Sequence, residues 1–301
     1  MYIKTKEEFT TVLKLELQKR NPNWRIKITH VPKMNGVTLT GLLVLPNKSN
    51  ITPTIYLESF YADYEAGCLL DVILERIEHL YEEHNVDEVY FDMEQFLDFE
   101  NVQGRLCLKV INAERNKDLL QKIPHRMFHD LAIVYYVLLP NEEWMHGLAS
   151  ILVNNIIMDS WECTENELYE VAYKNTREQF KCGIRSMQDV IKEIACEQSD
   201  ELCCNELLYY ASNDVKLNGA SILLYNDLLT EFAKEHGDFY ILPSSVDEVL
   251  FVPAAAVDFD GSSLCAMVEE VNETCLEEEK FLSNRVYLFC AETKTLEIIT
   301  E

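Results

Sequence analysis

His125 and His129 stand four residues apart, with Asp130 next to the second. On a helix that spacing puts two imidazoles on one face, as zinc-binding His pairs require. Two ligands are half of a closed zinc site, and no third is visible. Pro124 and the apolar run after Asp130 point to strand or loop instead of helix. Neither a metal nor another cofactor is expected. Ser244-Ser245 follows Pro243 and precedes Asp247-Glu248. The Gly-x-Ser-x-Gly elbow of a serine nucleophile is absent, and Ser245-x-x-Glu248 reads as a turn or capping box between strands. Cys203 and Cys204 are adjacent, with no cationic neighbour to hold a thiolate, and read as packing or loop residues. Asp258-Phe259-Asp260-Gly261 lacks the ligand spacing and terminal Glu of a calcium loop. Neither Gly-x-Gly-x-x-Gly nor Gly-x-x-x-x-Gly-Lys occurs. With 52 acidic residues, chance supplies many carboxylate pairs, so none is assigned a catalytic role.

One charged pattern is more ordered. From Asp71 to Glu100 there are 11 acids and a single Lys or Arg, Arg76. Within it Asp71, Glu75, Glu78 and Glu82 recur at helical spacing, opposite an apolar face of Leu70, Ile73, Leu74, Ile77, Leu80 and Tyr81. A row of this kind is either a solvated face or a surface for a basic partner protein. These four are the candidate binding residues.

The elements that must hold them are legible by periodicity. Thr5-x-x-Glu8 opens a first helix through Phe9, Val12, Leu13 and Leu17, which Asn21-Pro22-Asn23 stops. Trp24–Val31 alternates as a half-buried strand, Asn35-Gly36 is a hairpin signal, and Val37–Leu45 returns. Thr54–Tyr61 reads as a third strand or a helix entry, and Leu70–His84 as the amphipathic helix. Residues 85–103 read as a connecting segment.

Strands follow at Leu106–Ile111, Leu131–Leu139 and Ala149–Met158, with a short helix at Glu114–Lys122. Thr164-x-x-Glu167 opens a helix ending near Asn175-Thr176, and a linking helix spans Met187–Cys196. A comparable order then returns: strand Leu207–Ala211, helix Ala220–His236, strands Phe239–Leu242 and Val249–Val252, and helix Leu264–Val271. Both passages, 104–176 and 205–274, read β-α-β-β-α, which raises the expectation of a duplication. Val286–Cys290 and Leu296–Ile299 form a closing hairpin. The expected class is α+β, with an N-terminal helix-and-hairpin region over 1–100 and a larger region over 101–301. No Pro/Gly/Ser linker divides them, so one compact body is expected.

The formal charge is −26, yet residues 1–50 hold 9 Lys/Arg against 3 Asp/Glu. A body this acidic repels nucleic acid and anionic lipid, so neither direct nucleic-acid binding nor membrane binding is expected. The 10 Cys have no Cys-x-x-Cys spacing and mostly lie in apolar runs, so they are expected to be reduced, as in a cytoplasm, and mostly buried. No apolar N-terminal run marks a secretory signal, and the longest apolar run, Leu131–Pro140, is too short to span a bilayer.

Four strings occur in order: Pro53-Thr54-Ile55-Tyr56-Leu57-Glu58, Asp130-Leu131-Ala132-Ile133-Val134, Tyr240-Ile241-Leu242-Pro243-Ser244-Ser245 and Met267-Val268-Glu269-Glu270-Val271-Asn272. On these the full chain resembles an uncharacterised family of Gram-positive gut bacteria, a domain of unknown function. Its C-terminal half is more distantly similar to a second uncharacterised cytoplasmic bacterial family. The resemblance implies a bacterial cytoplasmic α+β protein and brings no activity or site residue. The leading expectation is a non-catalytic interaction or regulatory protein with an acidic binding face. The alternatives are a nucleic-acid mimic that occupies a DNA-binding protein, and an enzyme with a dispersed site.

Overall fold

The computed structural model describes residues 5–46, 48–83, 91–139, 149–194, 208–256 and 261–299. They form an α+β fold with three antiparallel sheets. The chain divides into two compact units, residues 1–96 with 139–149, and residues 97–138 with 150–301.

In the first unit, helix α1 (Lys6–Arg20) starts where the Thr5 hydroxyl accepts the Glu8 amide at 3.2 Å. Strands β1 (Ile26–Pro32) and β2 (Thr38–Val44) pair antiparallel, Ile26 opposite Val44 and Pro32 opposite Thr38. Asn35 (φ 59°) and Gly36 (φ 74°) both take the left-handed backbone at the tip. A type I′ hairpin turn needs positive φ at both centres, which is why Asn-Gly signals it. The stretch Thr54–Tyr61 proves to be both of its readings. β3 (Ile55–Tyr56) adds to β2, and α2 (Glu58–Glu65) begins two residues on. Helix α3 (Leu70–Glu83) and a single turn, α4 (Met93–Phe96), follow. The core joins Phe9, Leu13 and Leu17 of α1 to Leu42 and Val44 of β2, Phe60 of α2, and Ile73, Leu74 and Ile77 of α3. All three helices therefore bury their apolar stripes on one side of the sheet.

The second unit opens with one helical turn, α5 (Phe99–Val102), so the segment 85–103 is not plain connection; residues 84–90 lie outside the described ones. β4 (Leu106–Asn112) follows, then a turn of helix, α6 (Lys117–Leu120), and β5 (His125–Phe128) and β6 (Leu131–Leu138). β6 is buried along its whole length and is the central strand. β4 lies on one edge of it, and β5 and β7 (Ser150–Leu152) share the other, one after the other. The expected strand Ala149–Met158 is thus corrected to three residues. Asn154 then caps a helix, α7 (Asn155–Ser160), its side chain accepting the Ile157 amide. An Asn inside an apolar run is a helix start the run conceals. Helix α8 (Glu165–Gln179) carries a complete capping box between Thr164 and Glu167.

The remaining sheet has the order β13-β12-β10-β11-β9-β8. It comprises β8 (Cys182–Ser186), β9 (Tyr209–Asn213), β10 (Phe239–Leu242), β11 (Val249–Pro253) and the hairpin β12 (Tyr287–Cys290) and β13 (Thr295–Ile298). Helices α9 (Met187–Ile194), α10 (Asn226–His236) and α11 (Gly261–Cys275) intervene. Sequence periodicity does not mark β8, a five-residue strand with Gly at its second position. The helix expected over Ala220–His236 is broken. A 3-10 segment, Gly219–Leu224, ends at Tyr225, which leaves helical geometry (φ −100°, ψ 78°) and is fully buried.

The expected strands of the first passage of the internal likeness are β4, β6 and β7, paired with the second in the centre (β4-β6-β7), whereas those of the second are β9, β10 and β11, with the third in the centre (β9-β11-β10). The pairing expected of a duplication is not there, and only β5, which is not among the expected repeat strands, gives a matching order β4-β6-β5. The intervening helices differ, one turn in α6 against 11 residues in α10.

Candidate binding face on the acidic helix

Helix α3 places all four candidate residues along one side, but that side flanks the apolar face. At about 100° per residue, the row centres roughly 125° from the line of Ile73, Leu74 and Ile77. The flank brings two of the four onto α1. Arg20 Nη2 lies 2.6 Å from Asp71 Oδ1, and Arg20 Nη1 lies 3.5 Å from Glu78 Oε2. The Asn21 side chain donates to Glu78 Oε1 at 2.6 Å. Glu78 is half-buried by these contacts, whereas Asp71 stays exposed. Glu75 and Glu82 are also exposed. The four thus separate into a pair that shares Arg20, of which only Glu78 is half-buried, and two exposed acids outside that contact, Glu75 and Glu82.

The face opposite the core is not uniformly polar. Leu69 (71%), Val72 (42%) and Leu80 (36%) are exposed. With Arg76 they recur at i, i+3, i+7 and i+11, a second helical stripe. Val72, Glu75, Arg76, His79 and Leu80 line a shallow groove of about 470 Å³. Its cation is held in place: Arg76 Nη1 lies 2.6 Å from Asp63 Oδ2, and the guanidinium sits 5.1 Å from the Phe60 ring centre. His79 Nδ1 lies 3.2 Å from Glu83 Oε2 at the C-terminal end. The groove has apolar ends, one fixed cation and one acid, Glu75, among its lining residues. The acidic pattern in the sequence includes Glu75 but not the outward apolar side chains, whose only sequence signal is the spacing of Leu69, Val72 and Leu80; Leu80 fits the inner stripe equally well.

The other weighed residues have structural partners. His125 is on strand β5, its Nδ1 3.0 Å from the Ile123 carbonyl oxygen, and His129 is in the turn after it with φ 54°. The two imidazoles are therefore not on one helix face. Among the described residues no three His, Cys, Asp or Glu side chains gather as a metal site would require. A depression of about 310 Å³ beside His125 is rimmed by Glu114 and Lys117, which pair with each other. Ser245 is buried, and its hydroxyl accepts the Asp247 amide at 3.1 Å, a local turn. Asp247 meets Lys280 at 3.1 Å and accepts the Asn218 amide, while burial raises the neighbouring Glu248 carboxyl.

Cys68, Cys107, Cys163, Cys182, Cys265 and Cys290 are free thiols. Of these only Cys107 is fully buried and the other five are half-buried, a correction to the expectation of mostly buried cysteines. The thiol of Cys275 and the whole of Cys196, Cys203 and Cys204 lie outside what is described, as do Asp258–Asp260 of the calcium-like string.

A family model matches residues 6–291, nearly the whole chain. The chain belongs to the family of unknown function DUF5688. The family's span takes in both units and the α3 groove. No curated protein and no solved structure matches the chain. No helix among the described residues is long and apolar enough to cross a membrane.

Proposed function

We propose that this DUF5688 protein is a non-catalytic interaction module of the bacterial cytoplasm, and that α3 is its contact surface for a basic, amphipathic segment of a partner protein. The groove bounded by Val72 and Leu80 and lined by Glu75 carries this reading, with Glu82 exposed further along the same helix. Buried Ile73, Leu74 and Ile77 hold the helix rigidly, so the groove is formed before a partner arrives and little side-chain freedom is lost on binding. Apolar side chains of the partner would cover Val72 and Leu80, and its Lys or Arg would meet Glu75 and Glu82. Asp71 and Glu78 are less available to a partner, because Arg20 already engages them. The composition and the resemblance support a cytoplasmic bacterial setting. A row of acids alone would serve solubility; the apolar ends of the groove are what favour a partner.

The test is binding of a fluorescent amphipathic Leu/Lys helical peptide to the full chain at low and high salt. Glu75→Lys/Glu82→Lys and Val72→Ser/Leu80→Ser should each weaken it about tenfold, and Asp71→Asn much less. Equal binding by all variants would leave the face as a solvated one.

A further inference from the structure

Strand β5 sends its side chains to two sides, because successive residues of a strand point to opposite faces. Arg126 goes to one side, where it meets Glu165 at 3.0 Å and stands 3.9 Å from the centre of the Tyr169 ring. His125 and Met127 go to the other. Together with Ala113, just after β4, and the turn of helix α6, they line the depression of about 310 Å³. These residues all belong to the second unit, whereas the α3 groove belongs to the first.

The lining combines apolar surface with one oriented polar group. Ala113 and Leu120 are buried, and Met127 is 57% exposed, so apolar side chains run from the interior out to water. Glu114 and Lys117 form an ion pair with each other, which leaves the lining without net formal charge. His125 is the oriented group. Its Nδ1 lies 3.0 Å from the Ile123 carbonyl oxygen. A carbonyl only accepts, so Nδ1 carries the hydrogen, and in the neutral imidazole Nε2 is then an acceptor. The hydrogen bond to Ile123 holds the ring, and Nε2 is left as an acceptor on a residue that lines the depression.

We infer that this depression binds a small, neutral, largely apolar molecule with one O–H or ring N–H donor, which His125 Nε2 accepts. Size, charge and polarity each narrow the ligand. Small-molecule sites run from about 300 to about 1,000 Å³, and this one is at the lower limit, which suits a molecule of one or two rings. The paired Glu114 and Lys117 offer no uncompensated charge to an ion. Among the described residues no three metal-ligating side chains gather here. Met127 supplies an unbranched thioether, which adapts to a flat apolar ligand. An imidazole already held through Nδ1 loses little freedom when Nε2 takes a partner, so the hydrogen bond selects for a donor at low cost. The inference goes beyond the α3 surface and shares no residue with it.

Indole and benzofuran are the probes. They share a shape, but indole has a ring N–H where benzofuran has an oxygen and no donor. Each is titrated at neutral pH into the isotope-labelled full chain and followed by amide chemical shifts. Indole should shift residues 113–127 and bind about fivefold more tightly than benzofuran. His125→Phe should remove that preference and leave the two probes equal. Met127→Ser, at an exposed position, should weaken both probes by a similar factor, because it removes apolar contact and no hydrogen bond. Glu75→Lys/Glu82→Lys should change neither, which separates this site from the α3 groove. Thermal midpoints show whether each variant is folded, and the preference in wild type tests the inference without any variant. The inference is overturned if benzofuran binds wild type as tightly as indole, if neither probe shifts residues 113–127, or if folded His125→Phe keeps the preference for indole.

Discussion

Glu58 ties three elements of the first unit with one carboxylate oxygen. Its Oε1 accepts from Lys6 Nζ at 2.5 Å and from the Thr40 amide at 2.7 Å, joining α1, β2 and α2. Burial pushes its pKa up, but the hydrogen bonds from Lys6 and Thr40 outweigh that and hold it below the ordinary glutamate value. A carboxyl lowered on folding stabilises the fold above its unfolded pKa, and loses that contribution as pH falls through the folded value. Glu58→Gln should cost about 1–2 kcal/mol at neutral pH, and the penalty should shrink in urea titrations run below the ordinary glutamate range. The thiols make a second prediction at this scale. Burial pushes Cys107 up to about 12 and Cys182 up to about 11. Cys290 is lowered by hydrogen bonds from the Thr293 hydroxyl and the backbone at Thr293 and Glu292. Thiolate is the nucleophile, so iodoacetamide on the native protein should alkylate Cys290 well before Cys107 or Cys182, as peptide mapping would show.

Elements here are held by local devices whose removal has a defined cost. Thr164 both accepts the Glu167 amide and donates its own amide to the Glu167 carboxylate at 2.8 Å. Thr164→Ala should therefore destabilise the second unit by about 1 kcal/mol in denaturant unfolding, and Thr164→Ser should cost little. The 3-10 segment before α10 depends on closeness instead of capping. A Cβ on Gly219 would lie 2.2 Å from Ser212 Oγ and 2.4 Å from the Asp247 carbonyl oxygen. Backbone cannot move aside cheaply, so Gly219→Ala should cost about 1–3 kcal/mol or more, and a near-neutral result would mean that β9 and the loop before β11 do not meet here.

For the whole molecule, the charge of −26 is the dominant long-range feature. Self-repulsion opposes the compact state and is screened by salt. The exposed pairs Lys19–Glu16, Arg76–Asp63 and Lys234–Glu231 return little, as surface pairs do. The thermal midpoint at neutral pH should therefore rise as sodium chloride is raised from low to physiological concentration, and a fall would mean that the ion pairs dominate. The strands expected for a duplicated unit pair differently in the two passages, β4-β6-β7 against β9-β11-β10, so the likeness is one of element order and not of the pairing a duplication requires.

What could be read from the sequence was whatever closes within a few residues. The Thr5 and Thr164 caps, the Asn35-Gly36 turn, the apolar stripe of α3 and the buried run of β6 are each encoded by neighbours in the chain, and each is in the structure. The α+β class followed from their order. Contacts between distant residues were not legible, because periodicity gives a helix its faces without saying what lies beside them. Arg20, 51 residues before Asp71, takes up Asp71 and Glu78, and so divides a row of four carboxylates that look equivalent in sequence. Leu80 fits the inner stripe by spacing, yet it is exposed at one end of the groove. β8 is a strand because β9 supplies its hydrogen-bond partners, with Cys182 opposite Asn213 and Ser186 opposite Tyr209. Backbone donors and acceptors in a sheet are satisfied by another strand, and that partner is chosen by the tertiary structure.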